Sequence, residues 1–210
     1  MSSAPYNLAI ETSSRIGSVT LGRGDVQLVT RELPPQERHR VDLLPVIDEL
    51  CRAHQVKPAD IREIYISHGP GSFTGLRIGI TTAKTLALIT GARLVAVPTL
   101  EVVAMNVPMQ LGVTLIVALN MKKDTVYAGV FEAGTQDEHW QLTREPALTS
   151  LPDLLATITG PVLIVGEKLP LESCLPARRA SEGGSVPGSD KESGQIDQRQ
   201  KWSSRKTPSP

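Results

Sequence analysis

The chain has 210 residues, 40% of them hydrophobic, 21% charged and only 3% aromatic, so it can bury a core packed mainly by aliphatic side chains. Its 22 basic and 22 acidic side chains balance, which excludes a global field drawing it toward nucleic acid and leaves only local patches for that role. Cys51 and Cys174 form no Cys-x-x-Cys pair, and no window reaches the roughly 20 apolar residues of a membrane helix; a reducing, cytoplasmic setting without membrane contact is expected.

Tyr6 to Glu11 is a short apolar run, Gly17 to Leu21 alternates ahead of the turn Gly22-Arg23-Gly24-Asp25, and Val26 to Arg31 resumes strand-forming residues. Three antiparallel strands are predicted. After the break at Pro34-Pro35, Val41, Leu44, Ile47 and Cys51 recur at steps of three and four, predicting a helix from about His39 to His54. Ile61 to Ser67 reads as a buried strand, followed by a glycine-rich turn and a second helix from about Thr74 to Ile89, stopped by Gly91 at C′. Leu94 to Val97 is another strand, and Thr99 after Pro98 is the expected N-cap of a third helix through about Ala104. Three strands, helix, strand, helix, strand, helix is the order of the ribonuclease H-like unit that actin-like proteins use twice: an α/β fold with a mixed sheet flanked by helices.

A second unit starts with strands at Val113 to Leu119 and Val126 to Phe131. A strand near Trp140 to Leu142, a helix over Leu151 to Ile158 and a strand at Val162 to Val165 follow. From Leu169 the chain turns to Arg, Ser, Gly, Pro, Lys and Gln with no apolar period, a composition that cannot repay its ordering entropy. The expected organisation is a complete actin-like unit over 1–105, a truncated second unit over 106–168 and a disordered tail over 169–210.

The segment Gly69-Pro70-Gly71-Ser72-Phe73-Thr74-Gly75 joins a strand to a helix, where backbone amides and the helix dipole can hold an anion. It lacks the G-x-x-x-x-G-K-[ST] pattern, since Arg77 stands two residues past Gly75. The structural reading is therefore preferred, with Gly69, Pro70 and Gly71 forming a tight turn. Within the second helix Gly75, Gly79, Ala83 and Ala87 make a small-residue stripe, which allows close packing either inside this chain or against another chain. Glu11 ends the first strand, but the fourth ends in Ser67-His68 without an acid, so a two-metal carboxylate site is incomplete. His39, His54, His68 and His139 have no metal spacing, and no serine sits in a G-x-S-x-G elbow. No catalytic residue, metal or cofactor is predicted.

Four segments then resemble one family in order: Leu8-Ala9-Ile10-Glu11-Thr12-Ser13, His39 through Leu50, Gly69 through Gly79, and Val97-Pro98-Thr99-Leu100-Glu101. They are similar to bacterial TsaB (YeaZ-like) proteins of the Gcp-like, actin-like superfamily, over about Tyr6 to Lys168. The resemblance implies a non-catalytic scaffold in forming N6-threonylcarbamoyladenosine at position 37 of tRNA. It implies pairing with a TsaD-like transferase, joined by a TsaE-like ATPase, with tRNA reached indirectly. In TsaD-like relatives a His-x-x-x-His pair binds the metal, and the matching positions here are Thr99 and Val103, neither of which can replace an imidazole. Glu11, Asn120 and Lys122 depart from the family's usual Asp, Asp and Arg.

The expected partner seam runs over the first two helices through Leu43, Leu44, Ile47, Gly75, Ile78, Gly79, Thr82 and Leu86, and a homodimer through the same surface is compatible with it. A nucleotide-dependent phosphotransferase of the actin-like superfamily, or a degenerate copy without function, remains open on the residues alone.

Overall fold

The computed structural model describes residues 4–33, 39–134, 139–167 and 169. These divide into two units, one through Pro108 and one from Met109. Apart from Leu169, the expected tail lies outside the described residues.

The first unit contains β1 (Tyr6–Glu11), β2 (Ser18–Arg23), β3 (Val26–Glu32), α1 (His39–Ala53), β4 (Ile61–Ser67), α2 (Phe73–Thr90), β5 (Arg93–Val97) and α3 (Thr99–Met105), with a 3-10 turn at Pro58–Asp60. Its sheet runs β3-β2-β1-β4-β5. β1, β2 and β3 pair antiparallel, while β1–β4 and β4–β5 are parallel. Parallel neighbours need a crossover, and α2 provides it between β4 and β5. Because strand side chains alternate, Leu8, Ile10, Ile64 and Ile66 share one face, where they meet Leu43, Ile47, Leu50, Cys51 and Ala83 of α1 and α2 in a single buried cluster. α2 is well delimited: the Ser72 hydroxyl accepts the Gly75 N–H at 3.2 Å, and Gly91 closes the helix at φ 72° while its N–H reaches the Ala87 carbonyl at 2.9 Å.

The second unit contains β6 (Thr114–Lys122), β7 (Thr125–Ala133), β8 (Trp140–Ser150), α4 (Leu151–Leu155) and β9 (Val162–Val165), in sheet order β8-β7-β6-β9. Two antiparallel pairings and one parallel pairing repeat the first unit's β3-β2-β1-β4. Its core gathers Ile116, Ala118, Val126, Ala128 and Val130 against Leu151 and Leu154.

Three local expectations change. β8 extends eight residues beyond Leu142, because its pairing with β7 continues through Tyr127–Leu148 to Thr125–Ser150 despite polar side chains and Pro146. β8 is an edge strand, where a missing N–H costs no ladder bond on its open side. α4 stops at Leu155 rather than Ile158, although Ile158 still packs on the core. Pro98, not Thr99, holds the N-cap position of α3; Thr99 is already helical and its N–H donates to the Gly69 carbonyl at 2.9 Å.

Candidate functional site

The turn after β4 is clasped from two sides. The His68 N–H donates to the Val97 carbonyl at 3.0 Å, and the Ser72 N–H donates to the Ser13 carbonyl at 2.6 Å. Gly69 adopts φ +115° before a cis bond to Pro70, a conformation that favours glycine. A Cβ at Gly71 would lie 2.5 Å from the Ser13 oxygen, one at Gly75 would overlap the Thr12 carbonyl oxygen, and one at Gly79 would overlap the Thr12 hydroxyl. The glycines thus let α2 settle onto the loop that leaves β1. That loop is braced internally, since the Ser13 N–H and hydroxyl both donate to Glu11 Oε1 at 2.5 Å.

Half of the expected seam positions are buried within this unit. Gly75, Gly79 and Ala83 form the buried face of α2, and Leu43 and Ile47 are 2% and 6% exposed in the unit's own core. Leu43, Gly75 and Gly79 are therefore taken up by contacts inside this unit, while Ile47, almost fully buried, borders a groove between α1 and α2. The small-residue stripe is used for internal contact, because only a side-chain-free face can reach Thr12. Of the other seam positions, Leu44 is 56% exposed and Ile78, Thr82 and Leu86 are half-buried.

The outer face of α2 lies on a different arc. Phe73, Leu88 and Ile89 are 74%, 86% and 74% exposed. At about 100° per residue, Phe73, Arg77, Thr81, Lys84 and Leu88 fall within one stripe roughly 80° wide, and all five are exposed. The Arg77 guanidinium sits 5.4 Å from the centre of the Phe73 ring. Beside the stripe lies an open groove of about 440 Å³ lined by Thr74, Arg77, Ile78, Thr81 and Thr82. A second groove, of about 400 Å³, runs along α1 and α2 past Leu44, Asp48, Cys51, Val56 and Leu86. The sequence signal for this face is a pair of large apolar residues, Phe73 and Leu88, outside the helix's small-residue arc.

Elsewhere in the first unit, the Tyr65 hydroxyl donates to Glu63 Oε2 at 2.5 Å and Arg93 pairs with Glu63 Oε1. Burial and then the Glu63 carboxylate push the Tyr65 phenol up to about 12. The Tyr65 hydrogen bond, reinforced by Arg93 and opposed by burial, holds the Glu63 carboxyl below its ordinary range. Burial and nearby Asp48 push the Cys51 thiol up, which makes it a poor nucleophile. The hydroxyls of Thr12, Ser67 and Thr99 are buried without a hydrogen-bond partner among the described residues. Also among the described residues, no group of three or more His, Cys, Asp or Glu could hold a metal, and no helix is long and apolar enough to cross a membrane. Thr99 is buried and Val103 half-buried on α3.

The family model described as "TsaD: tRNA N6-adenosine threonylcarbamoyltransferase" matches residues 34–150, more than half of the chain. Among similar proteins, the tRNA threonylcarbamoyladenosine biosynthesis protein TsaB of Bacillus subtilis is 36% identical over 99 residues, covering 47% of this chain and 43% of that protein. TsaB of Escherichia coli is 33% identical over 121 residues, covering 57% and 52% respectively. The chain spans about half the length of the curated relatives it matches. YeaZ from Pseudomonas aeruginosa superposes with a TM-score of 0.64 at 21% identity, covering 81% of this chain and 90% of that one; the two share the fold, a ribonuclease H-like, actin-like α/β arrangement.

Proposed function

Because the chain belongs to the family described by the TsaD model, tRNA N6-adenosine threonylcarbamoyltransferase, we propose that it is a non-catalytic accessory subunit of tRNA threonylcarbamoyladenosine formation that binds and supports a TsaD-like transferase. The observation that carries this reading is the outer face of α2. It exposes Phe73 at one end and Leu88 at the other, about 22 Å apart, with Ile89 exposed beside Leu88 in the last turn, on a helix whose opposite face is anchored to the sheet; this gives a rigid surface with apolar ends suited to another protein. The naming of the similar TsaB proteins supports the pathway, and Thr99 and Val103 at the positions of the metal imidazoles support an accessory role. Leu44, Ile78, Thr82 and Leu86 complete the seam around the exposed residues. A TsaE-like ATPase joins the pair, tRNA is engaged through the transferase, and no cofactor is bound.

Reconstitution tests the assignment. With threonylcarbamoyl-adenylate and unmodified tRNA, the transferase and ATPase together with this chain should modify adenosine 37, whereas this chain alone should give no product. Product formed by the chain alone, or turnover by the other components that is indifferent to its addition, would overturn the reading.

A further inference from the structure

We propose that the exposed stripe of α2 recognises its partner by charge as well as by apolar contact. This rests on the accessory-subunit reading: the partner surface is a helix carrying carboxylates opposite Arg77 and Lys84, flanked by apolar residues that cover Phe73 and Leu88.

The residues of α2 include two cations and no acid. Among the described residues, neither Arg77 nor Lys84 meets a carboxylate. Seven residues apart on a helix, they stand about 10 Å from each other along the axis and share one exposed face. Stacking on the Phe73 ring holds the Arg77 guanidinium against the helix and lowers the cost of fixing it on binding. The stripe reads apolar, cation, threonine, cation, apolar. A nucleic-acid backbone matches it poorly, since two cations supply little attraction and phosphates would leave Phe73, Leu88 and Ile89 uncovered. A second copy is also a poor match when two α2 helices pair antiparallel about a centre between Ile80 and Thr81. In that register Arg77 of each copy faces Lys84 of the other, and like charges oppose the contact. The same two side chains thus attract an acidic helix and oppose self-pairing in that antiparallel register.

The test uses the full chain and the TsaD-like transferase, with association measured at low and at near-physiological salt. Wild-type association should slow several-fold as salt rises, by the usual screening of steered encounters. Arg77→Gln and Lys84→Gln, both at exposed positions, should keep the circular dichroism and melting temperature of the wild type while flattening that salt dependence. Lys84→Glu should weaken transferase binding about tenfold. The same variant should strengthen self-association in sedimentation velocity, because Arg77 then faces a carboxylate in the antiparallel pairing. Variants that bind the transferase with wild-type affinity and salt dependence would overturn the charge-reading proposal while leaving the accessory role standing, as would charge variants that weaken tRNA binding alone. Wild-type protein that fails to bind the transferase at any salt would overturn the accessory role and this proposal together.

Discussion

Gly75 sits directly on the carbonyl of Thr12, close enough that a methyl group in place of its hydrogen would overlap the oxygen. One turn further along, Gly79 meets the Thr12 hydroxyl and lies where an added Cβ would come within 3.1 Å of Ile66 Cδ1. Gly79→Leu should therefore destabilise the first unit itself by about 3 kcal/mol, the upper end of ordinary overpacking, because the buried Thr12 and Ile66 side chains must both give way. Denaturant unfolding monitored by circular dichroism checks this. A variant with wild-type stability that lost only partner binding would restore the glycine stripe to the outer surface.

Leu43 and Leu44 are adjacent in sequence but differ in environment, at 2% and 56% exposure. Leu43→Ala should cost about 2–5 kcal/mol as a core truncation, whereas Leu44→Ala should change stability by no more than about 0.5 kcal/mol. Equal losses in thermal or chemical unfolding would contradict the placement of α1.

Tyr65 provides a pH prediction. Its phenol is raised from 10.0 to about 12, so the folded state holds this proton where an unfolded tyrosine has released it. The associated stability is fully present below about pH 10 and is lost as pH rises toward 12. Ultraviolet titration of tyrosinate should show one of the chain's three tyrosines ionising late, and Tyr65→Phe should remove that late step. A folded-state titration without a late step, or with one that Tyr65→Phe leaves in place, would contradict the burial of Tyr65 against Glu63.

Much of the fold was readable from the residues, and the reasons are local. β1, β4 and β9 are short apolar runs between clear breaks, and their expected limits match Tyr6–Glu11, Ile61–Ser67 and Val162–Val165. Gly91 ends α2 as expected, by capping chemistry that a helix terminus must satisfy. β8 was only partly readable, because an edge strand tolerates Arg144, Glu145 and Pro146 and derives its identity from pairing with β7. The surface was harder. A stripe of small residues signals close approach without saying to what, and Thr12, the group that fills it, lies more than sixty residues away in sequence. Only the parallel pairing of β1 with β4 brings Thr12 under α2 and turns Phe73, Arg77 and Leu88 outward.

A TsaD-like transferase is proposed to bind the outer face of α2. Isothermal titration of the transferase with the full chain and with Leu88→Glu tests it most directly. Leu88 is 86% exposed, so the variant should keep the wild-type melting temperature. The wild type should bind in a one-to-one complex, and Leu88→Glu should weaken binding at least tenfold, as expected for a charge introduced into an apolar contact. Undiminished binding by Leu88→Glu together with Ile89→Glu would contradict the claim.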